Sequence, residues 1–214
     1  MPVDQAKLGF IVAYFDDLER KIAALAGLSE NGYEDEALTL ALVYIDGLAQ
    51  RLCWPSEQNG VNFVQALAEF SNDPEMALVH PLQLAKALER MNASWHPIAA
   101  AVRTAFPGPA YELLSTSTIL STVARALTAQ QGQDLAREAW RGTIAAIAYY
   151  RMRNPAVHAL GASTLSFGNT THAGNPAQPL DLPRLQQAAS HLAAEARRRS
   201  ESTGDWFGND LVLS

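Results

Sequence analysis

Residues 149–161 read YYRMRNPAVHALG, and they hold the side chains best suited to chemistry in this chain. Arg153 is followed at once by Asn154, and His158 stands five positions after the arginine. Histidine exchanges a proton near neutral pH. Arginine stays charged and forks onto phosphate oxygens. Together, the two suit chemistry on a phosphodiester.

The spacing also carries structural information. On an unbroken helix, residues five apart lie roughly 140° apart around the axis, so Arg153 and His158 would not share a face. Pro155 disfavours a helical Asn154 and has no amide to donate. The expected arrangement is a helix ending near residues 152–154, and a second helix with Asn154 as N-cap and Pro155 at its first position. The motif would then sit at a corner, with Arg153 and His158 on either side.

An arginine, a polar residue, three free positions and a histidine resemble the signature of the HEPN superfamily. Arg153, Asn154 and His158 fill those positions. The apolar helix before them also fits, and the resemblance runs over about residues 34–161. It implies an all-α, HEPN-like helical bundle and a metal-independent endoribonuclease with no cofactor. The ribose 2′-hydroxyl would attack the adjacent phosphate. His158 would take or deliver a proton, Arg153 would stabilise charge in the transition state, and Asn154 would hold the histidine or a phosphate oxygen. Tyr149, Tyr150 or Arg151 would stack on or clamp the RNA, with Tyr150 and Arg151 as the expected substrate-binding pair.

The partners implied are RNA, a second copy of the chain that sets two motifs face to face and, for a toxin, a separate antitoxin protein. The same resemblance fits a non-catalytic RNA- or protein-binding module. The residues alone leave another assignment open, in which Arg153 pairs with Asp46 or caps a helix and His158 is a satisfied buried histidine. Asp46 interrupts an otherwise apolar helix centre beside Ile45. It is either a partly exposed carboxylate or a group that orients the motif. HEPN-like chains often carry an acidic residue at about this point.

Composition narrows the setting. The 214 residues are 48% apolar and 18% charged, with a net charge of −6. A general nucleic-acid coat protein would be basic, so RNA contact must be a local patch. The lone Cys53 excludes a disulfide framework and a multi-cysteine zinc site. His80 and His96 precede prolines without ligands in metal spacing, and read as cap or loop residues. No basic-then-apolar leader opens the chain, and no apolar run reaches the roughly 18 residues of a membrane span. The expectation is a cytoplasmic protein with no membrane contact. It would form one domain over 1–214, with an N-terminal helical extension at 1–30 and an apolar tail at 200–214.

The elements that must position the motif follow from apolar spacing of three and four. Helices are expected over 4–27, 34–52, 61–70, 81–91, 97–105, 111–128, 134–153 and 181–199. This is a bundle of about six to eight helices, with no sheet of more than two short strands. Residues 130–133 read as a turn and 162–179 as a loop with a short extended piece at most. Arg197, Arg198 and Arg199 read as a solvated end of the last helix, and the low charged fraction with the apolar tail points to a homodimer.

Overall fold

The structure, a computed structural model, describes residues 5–53, 59–159 and 162–205, without the side chains of Asn59 and residues 157–159. In chain order the helices begin with α1 (Gln5–Ala23), α2 (Leu25–Glu30), α3 (Glu34–Leu52) and α4 (Asn59–Phe70). Next come α5 (Pro81–Glu89), α6 (His96–Ala105), strand β1 (Tyr111–Glu112), α7 (Thr116–Val123), α8 (Ala129–Glu138) and α9 (Ile144–Ala148). A π turn over Tyr149–Arg153 leads into α10 (Asn154–Ala159), followed by β2 (Thr170–His172), β3 (Asn175–Pro176) and α11 (Leu182–Thr203). The chain is mostly helical, as expected.

These elements form two compact units. One takes the residues up to 73, residues 152–164 and those from 181 onward. The other takes 74–151 and 165–180.

In the first unit, α11 packs against α3, α1 and α4. The bounds of α3 are those read from the sequence. Leu38, Ala41, Leu42, Ile45, Leu48 and Leu52 form its buried stripe. Glu34, Asp35 and Glu36 occupy its first turn, where the helix dipole favours negative charge. The expected 4–27 helix instead splits into α1 and α2. Ile11, Phe15, Leu18 and Ile22 are its buried face. Asp181 caps α11 by accepting from the Arg184 amide at 3.0 Å, and Gly204 ends it in the left-handed region at φ 68°.

The three arginines near the end of α11 correct the expectation of a solvated cluster. Arg197 bonds Asp16 and Glu19 of α1 at 2.8 and 3.0 Å. Arg199 donates to the Leu52 carbonyl at 3.2 Å and lies over the Phe70 ring. Of the three, Arg198 is the most solvent-exposed, with Glu195 as its partner.

In the second unit, Val79, Leu84, Leu88, Ile98, Val102, Ile119, Val123 and Leu135 form a buried cluster. Here β1 pairs parallel with β2, which pairs antiparallel with β3. This three-stranded sheet corrects the expected limit of two strands and turns the start of the expected 111–128 helix into a strand. Serine and threonine weaken that helix start, and Ser115 instead caps α7 by accepting from the Thr118 amide at 3.1 Å. The expected turn at 130–133 is corrected too. Thr128 and Gln131 cap each other's amides in a capping box, so these residues open α8.

The expected 134–153 helix is not continuous. A 3-10 turn over Ala139–Gly142 follows α8, and Thr143 then breaks the helix at ψ 158° and caps α9. Gly142 explains the break. A Cβ there would lie 2.5 Å from the Leu84 Cβ and 2.9 Å from the Leu84 Cα. The chain crosses α5 so closely that only glycine fits.

Candidate functional site

The motif lies where the π turn meets α10. A proline inside a helix lacks a donor, and its ring clashes with the carbonyl four residues back. For Pro155 that carbonyl belongs to Arg151, inside the π turn. The wider turn opens the hydrogen-bond ladder where the ring needs room. The expected corner with Asn154 outside the helix is thereby corrected, because Asn154 is the first residue of α10 and follows the π turn without a gap.

Arg153 and Asn154 belong to the first unit, as does Asp46 on α3. Arg153 Nη2 donates to Asp46 Oδ2 at 2.7 Å, and Nη1 to Asn154 Oδ1 at 3.3 Å. The side chains of Arg153 and Asp46 are 14% and 21% exposed. Water screens such a pair less than one on an open surface. The other Asp46 oxygen, Oδ1, is buried and meets no hydrogen-bond donor among the described residues. Asp46 is thus both partly exposed and paired with Arg153, the pairing that the non-catalytic assignment of Arg153 also expects. The backbone of His158 lies in α10, while its side chain is outside the described residues.

Tyr150 and Arg151 belong to the second unit. Both are exposed. Tyr150 Oη accepts from Arg141 Nη1 at 3.3 Å, and its ring meets Tyr149 edge-on at a centroid distance of 5.1 Å. Both residues line a cavity of about 230 Å³ with Lys86, Arg90 and Arg141. Sequence reasoning missed Lys86 and Arg90. Their signal was available: two cations four apart on a short helix, on the stripe of Gln83 and Ala87.

The remaining reactive groups lie elsewhere. Burial, with the Glu69 charge second, pushes the Cys53 thiol up to about 11, so it is protonated near neutral pH. His80 caps α5 and is 4% exposed. Thr170 Oγ1 donates to the Phe167 carbonyl at 2.7 Å and lies 3.2 Å from His80 Nε2, which therefore carries the proton and donates to it. Burial first, and the Lys86 charge further down, lower the His80 pKa to about 4. His80 is thus a neutral structural histidine rather than an acid–base group. His172 Nδ1 meets Glu75 Oε1 at 3.3 Å on β2. Among the described residues, no helix is long and apolar enough to cross a membrane.

Comparison with known family models, with curated proteins and with solved structures finds no match for this chain.

Proposed function

We propose that this chain is a HEPN-type, metal-independent endoribonuclease that acts as a cytoplasmic homodimer. The observation that carries the reading is the spacing of Arg153, Asn154 and His158; beside it stands the Asp46–Arg153 pair. It ties core helix α3 to the motif and, with Asn154, holds the guanidinium in one orientation. A fixed guanidinium suits a transition state whose charge develops in one place.

In the proposed reaction, the 2′-hydroxyl loses its proton to a base and attacks the adjacent phosphorus. The bond to the 5′-oxygen breaks, and that oxygen takes a proton from an acid. The products are a 2′,3′-cyclic phosphate and a 5′-hydroxyl. The His158 residues of two facing copies would supply base and acid. A toxin held in check by a separate antitoxin protein is the biological setting that this activity suits.

A non-catalytic binding module has its own support. Arg153 is largely covered and committed to a carboxylate, which suits an arginine that holds the fold together.

The experiment is cleavage of a mixed RNA pool in chelator, run beside thermal melts. Loss of His158 or Arg153 to alanine is expected to reduce cleavage by roughly 10²–10⁴. Arg153→Lys restores little, because the fork geometry is lost. Wild-type protein that leaves RNA intact in chelator would put the binding module ahead. Folded variants that cut like wild type would remove the catalytic assignment.

A further inference from the structure

We infer that the cavity lined by α5, α9 and the π turn binds a nucleotide unit, a phosphate carried on a sugar and base, whether free or within single-stranded RNA. Every lining residue belongs to the second unit.

Charge comes first. Among the described residues Lys86, Arg90 and Arg151 have no ion pair, whereas most cations elsewhere do, including Lys21, Arg103, Arg137, Arg184 and Arg197; exposed Arg125, outside the cavity, is an exception. These three converge on one cavity. Arg141 joins them with Glu138 as its own partner at 2.6 Å. Lys86 and Arg90 stand one turn apart, and like charges at that spacing destabilise a helix. The dipole of α5 favours Lys86 in its last turn and Arg90 at its C-cap, but it gives no reason for Arg151 to join them in a chain of net charge −6. A bound anion does.

Shape narrows the ligand. Ala146 and Ile147 are buried and form an apolar floor. Tyr150 is 43% exposed and is braced by Arg141 and by the edge of Tyr149, so its ring is a fixed platform for a flat base. The cavity of about 230 Å³ lies below the range of about 300–1,000 Å³ typical of sites for drug-sized ligands. It suits one nucleotide rather than a dinucleotide. A π turn supplies Tyr150 and Arg151, and such turns are frequent at functional sites. The choice of a nucleotide over another phosphate-bearing molecule rests on the ribonuclease reading. The anion site itself does not.

The test is fluorescence polarisation of the full chain with a labelled 2′-O-methyl RNA of about eight nucleotides, which lacks the attacking hydroxyl and isolates binding from cleavage. Arg90→Ala and Arg151→Ala are each expected to weaken binding about tenfold. Each should also lower the salt slope by about 0.7, the value for one phosphate contact in a single strand. Arg125→Ala removes the same charge from an exposed site outside the cavity and should change affinity less than about twofold. Lys86→Ala and Arg90→Ala should each melt close to wild type, since the relieved repulsion and the lost helix-dipole interaction oppose each other. Competition by 5′-AMP would assign the site to free nucleotides, and RNA binding without it to a strand; either supports the inference. Equal weakening by Arg125→Ala, equal binding of polyglutamate, or no binding of RNA or 5′-AMP at millimolar concentration would overturn it. RNA binding by a protein that cuts no RNA would sink the catalytic reading alone.

Discussion

Arg153 and Arg151 stand two residues apart and meet opposite fates. Arg153 is covered, 2.7 Å from Asp46, in the first unit. Arg151 is exposed, has no ion pair among the described residues, and lines a cavity with other cations in the second unit. The difference separates two uses of one side chain. A guanidinium locked to a carboxylate in a half-dry setting holds backbone elements in place and fixes its own direction. A guanidinium left in water beside like charges contributes little to the fold and stays available to an anion.

The contrast makes its strongest demand on stability at Asp46. Asp46→Ala should cost about 3 kcal/mol in denaturant unfolding, the low end for a broken buried pair, because both side chains keep some contact with water. Arg151→Ala should change stability by less than about 0.5 kcal/mol. Similar losses for the two would erase the distinction.

The second unit has its own covered polar group, and acid tests it. His80 has a folded-state pKa near 4, below the ordinary 6.5. Between those values the unfolded chain binds more protons than the folded one, so stability rises with pH across that window. The contribution is complete above about pH 6.5 and is lost as pH falls toward 4, by at most about 3 kcal/mol. Melts from pH 7 to 4, with His80→Gln as the comparison that removes the titration, would show it. A wild-type slope no steeper than that of the variant would refute it.

Gly142→Ala is expected to cost about 1–3 kcal/mol, since the new Cβ would meet the backbone of α5 at Leu84. An unchanged midpoint in urea would mean that the crossing has room to relax. The expected effect is smaller because neighbouring turns can share the shift.

The sequence shows where local rules decide. The α3 helix was legible to its last residue because its apolar spacing, acidic first turn and preceding glycine all agree. The pairing of Asp46 with Arg153 was legible only as one assignment among others, since 107 residues separate the partners and spacing carries no such distance. The 134–153 segment was misread because its apolar period survives two changes of backbone geometry. The cause lies in α5, far away in sequence, where the Leu84 backbone leaves space for a glycine hydrogen and no more.

Local chemistry determined the mostly helical class, the final helix and its cap, and the grouping of arginine, asparagine and histidine in one short stretch. Packing between distant segments decided the rest. It placed β1 beside β2, covered Arg153, and left Lys86, Arg90 and Arg151 around one cavity. The physical reason is range. Hydrogen-bond caps and apolar periods act over a few residues, whereas burial and ion pairing depend on which surfaces meet, and only the folded chain specifies that.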